Sequence, residues 1–238
     1  MTWTSKDSNE EETIEKTFTI KVNDKKVPGI LWTPKEHTHD RLVLLGHGGT
    51  EHKKSEHIQF LASELLKKGI SCMAIDGPGH GERSTTEFNE GSNPDLFRRA
   101  WEEGGGHFGM LEDWKESLSF IEMEMGPVPT GWWGLSMGTM MGLPISVVDT
   151  RIRIAVLGLM GVWGPNKEHL KTLAPKLECP VMFLIQWDDE VVPRDKCLEL
   201  YDLLGTNKKT LHINPGKHVE VPFFEINNSI KYLDKYLK

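Results

Sequence analysis

Three groups of polar side chains stand at the ends of apolar runs and could together carry out acyl transfer. They are Ser136 within Gly134-Leu135-Ser136-Met137-Gly138, the acids of Trp187-Asp188-Asp189, and His218 within Gly216-Lys217-His218. A serine hydroxyl is a poor nucleophile until a base removes its proton, and imidazole, which titrates near neutral pH, can take that proton and later return it. A carboxylate beside the imidazole orients the ring and stabilises the imidazolium without itself taking the proton. Two glycines around Ser136 suit a tight strand-to-helix turn, which lifts the hydroxyl and aims neighbouring amides at a developing oxyanion. A small helix-capping serine is the plainer reading of Ser136, and Asp188 and Asp189 are neighbours that the residues alone do not separate.

These groups meet only if the intervening chain builds a sheet that collects strand ends. Thr17 to Asn23 alternates in the strand manner, Asn23-Asp24 offers a turn, and Val27 to Thr33 returns, so a hairpin is expected first. Short apolar runs then recur at 41–46, 70–75, 129–135, 151–159, 180–186 and 209–214, each followed by glycine- or proline-rich loops or by helical spacing. Expected helices include one with Ile58, Leu61, Ala62 and Leu65, one capped by Asn93-Pro94 and ended near Glu103 by Gly104-Gly105-Gly106, and one with Leu111, Trp114, Leu118 and Ile121. Met137 to Val148 should follow the serine, kinked or shortened by Gly142 and Pro144, and Ile226, Ile230, Leu233 and Leu237 should line the last helix. Two antiparallel strands followed by about six strand–helix units predict a three-layer α/β fold, its mostly parallel eight-stranded sheet covered on both faces. In such sheets ligands bind beyond the carboxyl ends of the strands, where Ser136, the acids and His218 all fall, in that order.

Composition narrows the class further. A chain of 238 residues can bury a large core as one domain, so residues 13–238 are read as that domain and residues 1–12, rich in Glu, as a frayed acidic tail without the character of a secretory leader. The net charge of −7 is spread along the chain with no basic run, which indicates no nucleic-acid partner, and no apolar run approaches membrane-spanning length. Cys72, Cys179 and Cys197 are odd in number and lie in or beside apolar segments, as free thiols in a reducing compartment would, so a cytoplasmic location is expected. No Cys/His spacing suggests zinc, and neither a metal nor a cofactor is called for.

The ordered motifs resemble those of the α/β-hydrolase superfamily over nearly the whole chain from Thr17. They are His47-Gly48-Gly49, Asp76-Gly77-Pro78-Gly79-His80-Gly81, Gly134-Leu135-Ser136-Met137-Gly138, Asp189-Glu190-Val191-Val192-Pro193 and Gly216-Lys217-His218. The short chain is similar to the compact esterase and dienelactone-hydrolase-like branches. Dienelactone hydrolases use a cysteine nucleophile, and the dehalogenase and epoxide-hydrolase branches an aspartate, so Ser136 points away from all three activities. The resemblance implies Ser136 as nucleophile, His218 as base and Asp189, by its spacing to Val192-Pro193, as the acid. Gln186 stands where the family often has glycine.

Backbone amides of Met137 and Gly49 are expected to bind the oxyanion, with Gly48 as the alternative to Gly49. His80 is read as a structural turn residue. Trp101, Phe108, Met160 and Trp163, with His107, leave the catalytic ends of strands and could line a substrate pocket, although each could equally be ordinary packing. The expected activity is a serine hydrolase cleaving a carboxylic ester with a small to medium acyl or alcohol group, a small-molecule substrate reached with only a small lid. A thioesterase, lactonase, amidase or peptidase would use the same residues, and a non-catalytic ligand-binding protein of the same fold is the rival of another class.

Overall fold

Apolar segments of five to seven residues, too short for buried helices, become strands of the central sheet, all but the edge strand at 209–214 being buried almost throughout. A computed structural model describes residues 2–5, 13–35, 40–84 and 94–238. The strands are β1 (Thr2–Ser5), β2 (Thr13–Val22), β3 (Lys25–Pro34), β4 (Leu42–Gly46), β5 (Ser71–Ile75), β6 (Thr130–Gly134), β7 (Ile152–Gly158), β8 (Val181–Gln186) and β9 (Lys209–Asn214). They form one sheet in the order β1-β2-β3-β5-β4-β6-β7-β8-β9. β1, β2 and β3 run antiparallel, β3 pairs antiparallel with β5, and every pair from β5 through β9 is parallel.

The helices are α1 (Glu56–Leu66), α2 (Pro94–Glu103), α3 (Gly106–Met125), α4 (Met137–Val148), α5 (Lys167–Leu173), α6 (Arg194–Leu203) and α7 (Phe223–Tyr236). Alternation along the strands sorts the core into two layers. Leu42, Leu44, Trp132, Ala155 and Leu157 pack towards α3, α4 and α5, whereas Val43, Leu45, Trp133, Ile154 and Val156 pack towards α1 and α7. This is the expected three-layer arrangement, and its long β5–β6 connection carries α2 and α3.

Two expectations need correction. The stretch read as a tail supplies Thr2–Ser5 as a ninth strand on the edge of β2, with Thr2 opposite Thr19 and Ser5 opposite Lys16. The ten-residue β2 otherwise presents a long unpaired edge, and a short strand satisfies part of it. Residues 6–12, and Asn93 at the expected cap of α2, lie outside the described residues. The second correction concerns α4, which is not shortened at Gly142 and Pro144 but runs from Met137 to Val148. Pro144 has no N–H for the Met140 carbonyl one turn earlier, and the Asn166 side chain donates to that carbonyl instead, at 3.2 Å. At Gly142 a Cβ would stand 1.9 Å from the Trp132 indole nitrogen, so the glycine is required by close packing of helix on strand.

The strand order places a switch between β4, whose chain leaves to form β5 on one side, and β6 on the other. Such a crevice at the carboxyl ends is where ligands bind in open α/β sheets. The loops leaving β4 and β6 carry His47-Gly48-Gly49 and Ser136.

Candidate active site

Ser136 occupies the turn between β6 and α4 with φ 57° and ψ −118°, a conformation costly for a residue with a Cβ. Its surroundings hold it there. The Ser136 amide donates to the Gly158 carbonyl at 2.9 Å, and the buried Thr139 hydroxyl lies 3.0 Å from the Gly134 carbonyl, 2.7 Å from the Gly158 carbonyl and 2.8 Å from the Gly158 amide that donates to it. Both flanking glycines have a steric reason. A Cβ at Gly138 would stand 2.5 Å from the Gly46 carbonyl of β4, and one at Gly134 would stand 2.8 Å from the Trp132 indole nitrogen and 2.9 Å from the Gly138 carbonyl. The helix start thus sits directly on the sheet.

From that turn the polar groups run in series. His218 Nε2 lies 2.9 Å from Ser136 Oγ, and His218 Nδ1 lies 2.7 Å from Asp189 Oδ2. The other Asp189 oxygen accepts from the amides of Val191 and Val192, each at 2.8 Å. Burial pushes the Asp189 carboxyl up, but the His218 hydrogen bond and those two amides outweigh it and hold the group below its ordinary value. Asp188 faces elsewhere: its Oδ2 accepts from the Gly216 amide at 3.2 Å, within the loop that carries His218.

Two further side chains, to which the sequence assigns no role, support that loop. The Glu190 carboxylate accepts from the His218 amide at 3.0 Å. The buried Gln186 carboxamide donates to the Glu220 carbonyl at 2.9 Å and lies 3.3 Å and 3.4 Å from those of Lys217 and Pro215. A glycine at position 186 could do neither, so the departure from the family pattern replaces backbone freedom with a side-chain clamp. The only sequence signal was the polar residue closing an apolar strand.

Among the backbone donors, Met137 is the first residue of α4, where helix amides have no partner within the helix. The Gly48 amide is already given to Glu51 Oε2 at 2.9 Å, whereas the Gly49 amide donates to no group among the described residues. Gly77 links the two loops, because a Cβ there would lie 3.3 Å from the Met137 methyl and 3.4 Å from His47 Nε2. His80, buried, sits between the carbonyls of Pro78 and Gly49, its Nδ1 and Nε2 each 2.8 Å away.

The four residues suggested for a pocket divide by burial. Trp101 and Met160 lie buried in the core layer of α3 and α4, while Phe108 and Trp163 are exposed. Phe108 packs its ring on His107, which stacks on His169 with ring centres 3.7 Å apart, bridging α3 to α5. Cys72, Cys179 and Cys197 are free thiols, and burial pushes the last two up to about 12. Among the described residues no cluster of His, Cys, Asp or Glu is placed to hold a metal ion, and no helix is long and apolar enough to cross a membrane.

A strained serine turn at the switch point of a mostly parallel, three-layer sheet defines the class as the α/β-hydrolase fold. No family model and no curated protein matches the chain. Among solved structures, a polyethylene-glycol-bound complex of a cold-adapted esterase from an Arctic intertidal metagenomic library is 54% identical over 100% of both chains, with a TM-score of 0.94. The native form of a cold-adapted esterase from such a library is 48% identical over 100% of both chains, with a TM-score of 0.88. A dienelactone hydrolase from Anabaena variabilis, 17% identical over 94% of this chain and 96% of its own, shares the fold at a TM-score of 0.68. The chain belongs to the esterases of the α/β-hydrolase fold and is a carboxylic ester hydrolase.

Proposed function

We propose that the protein cleaves carboxylic esters through a Ser136–His218–Asp189 triad and an acyl-enzyme intermediate. The observation that carries this reading is the unbroken series from Ser136 Oγ through both ring nitrogens of His218 to Asp189 Oδ2, at 2.9 Å and 2.7 Å. His218 Nε2 takes the hydroxyl proton as Oγ attacks the ester carbon, and the negative charge passes to the carbonyl oxygen. The amides of Met137 and Gly49 receive that oxygen, the first at the positive end of α4. Collapse of the tetrahedral species breaks the bond to the alcohol oxygen, which leaves with the proton from His218. Water then attacks the acyl group under the same base, releasing the acid and restoring Ser136. Asp189 keeps the proton of His218 on Nδ1, so that Nε2 faces the serine as an acceptor.

The substrate proposed is a small molecule with a short acyl or alcohol part, because the β7–β8 connection is short, carrying the seven-residue α5 and a single 3-10 turn at Ala174–Lys176. Phe108 and Trp163 are offered as apolar contacts for it, and Trp101 and Met160 as the floor behind them. With its three free thiols, the enzyme is proposed to work in the cytoplasm without a cofactor. Replacing Ser136→Ala should abolish turnover of p-nitrophenyl acetate, and labelling by a fluorophosphonate, while circular dichroism stays that of the native protein. Retained turnover in the folded variant rejects the mechanism.

A further inference from the structure

We propose that His47 is a positioning residue for the oxyanion: its Nδ1–H holds the Gly48 carbonyl and thereby aims the Gly49 N–H, on the same peptide unit, into the site. The inference rests on the proposed function above and assigns to a side chain what the glycine loop has no means to do alone. In a trans peptide the carbonyl and the N–H point in opposite directions, so fixing Gly48 O fixes the direction of Gly49 N–H. Gly48 and Gly49 both lack a Cβ, and a peptide between two glycines is the one most free to rotate out of line.

The tautomer follows from the neighbours. The Gly77 amide donates to His47 Nε2 at 2.9 Å, so that nitrogen carries its lone pair and the ring proton sits on Nδ1. Nδ1 lies 2.8 Å from Gly48 O, which it can only approach as a donor. The ring is wholly buried, and burial with His80 beside it pushes its pKa down to about 4, so the neutral form persists.

Two further side chains flank this peptide. Glu51 takes the Gly48 amide, and His80 Nε2 reaches the Gly49 carbonyl at 2.8 Å. The loop bearing Gly77 and His80 is itself anchored, since Asp76 accepts from the Lys53 amide at 2.9 Å, the Lys53 ammonium at 2.5 Å and the Glu82 amide at 3.0 Å. Among the described residues the Gly49 N–H has no acceptor, and an added Cβ on that residue would meet nothing within 4 Å. A proton donated to Gly48 O also polarises that peptide, strengthening the N–H as a donor to the developing charge.

Two variants separate this role from mere support of the fold. In His47→Asn the amide nitrogen falls near the place of Nδ1 and can still donate to Gly48 O, whereas in His47→Gln the carboxamide falls near Nε2 and serves Gly77. With p-nitrophenyl acetate, well below each variant's melting temperature, His47→Gln should lose about 30- to 100-fold in kcat with KM within about threefold, and His47→Asn should stay within about fivefold of the parent. Equal losses in the two variants, or a loss confined to KM, overturn the proposal. Should neither variant fold, nitrogen NMR of the native enzyme decides. It should show His47 protonated on Nδ1, with that proton moving downfield when a trifluoromethyl ketone adds to Ser136; a proton on Nε2, or no movement, overturns it. The Ser136→Ala control keeps the readings apart, because activity in that variant rejects the triad itself, whereas an inactive Ser136→Ala beside an unimpaired His47→Gln rejects only the role of His47.

Discussion

Two adjacent aspartates differ in what their carboxylates can do. Asp189 puts one oxygen on His218 and the other on two backbone amides, so rotation would break three hydrogen bonds at once, while Asp188 holds a single amide of the neighbouring loop. Asparagine at 189 would present either an NH2 to the His218 ring, which forces the wrong tautomer, or one to the two amides, which repels them. Asp189→Asn is therefore expected to lower kcat for a short ester by roughly 10³- to 10⁴-fold with the fold retained, and Asp188→Asn to change it by less than about fivefold. Steady-state kinetics on the two proteins check this, and the reverse ranking would reassign the acid. Residue type left the pair unseparated and only the resemblance, through the spacing to Val192-Pro193, favoured Asp189, because their distinction lies in where the β8–α6 loop points each side chain, a property of contacts 28 and 29 residues away in the chain.

The juncture of β4, β6 and α4 shows why the glycines around Ser136 recur as a pattern that can be read from the chain. Gly138 lets the first turn of α4 rest on the end of β4, against the backbone carbonyls of Gly46 and His47. A methyl at position 138 meets a backbone carbonyl at 2.5 Å, which has no rotamer with which to yield, so the helix must shift. Gly138→Ala should cost about 2 kcal/mol, seen as a fall in Tm of roughly 4–8 °C, and should lower kcat by about tenfold or more as the donor moves. Calorimetry and kinetics together test this, and a stable, fully active variant would show that the contact is slack. Local turn chemistry and strand alternation made most of the sheet, the serine turn and the His218 loop readable, since each depends on residues close in sequence. What escaped depends on distant partners: Asn166 capping the carbonyl that Pro144 leaves open, Gln186 clamping the His218 loop, and Thr2–Ser5 joining the edge of β2 despite its polar flank.

Acid sensitivity follows from the buried imidazoles His47 and His80. His47 is neutral when folded, its pKa held at about 4 by burial and by His80, against 6.5 for a free imidazole, and burial lowers His80 as well. Asp76 and Glu51 face His47 and oppose the shift without cancelling it. Below pH 6.5 the unfolded chain therefore binds a proton at position 47 that the folded chain refuses, so stability is complete above that value, declines as pH falls, and levels off near pH 4. The native protein is therefore expected to show a lower Tm at pH 4 than at pH 7. Asp189 acts in a separate window, since its depressed pKa withdraws stability only below the ordinary carboxylate value of 3.8. Replacing His47→Asn removes the titrating ring, so the native protein should lose stability steeply between pH 6.5 and 4 while the variant, less stable at neutral pH, shows a shallower slope there. Denaturant unfolding at half-unit pH steps measures both slopes, and parallel curves for the two proteins would mean that the acid sensitivity arises elsewhere than at the His47 ring.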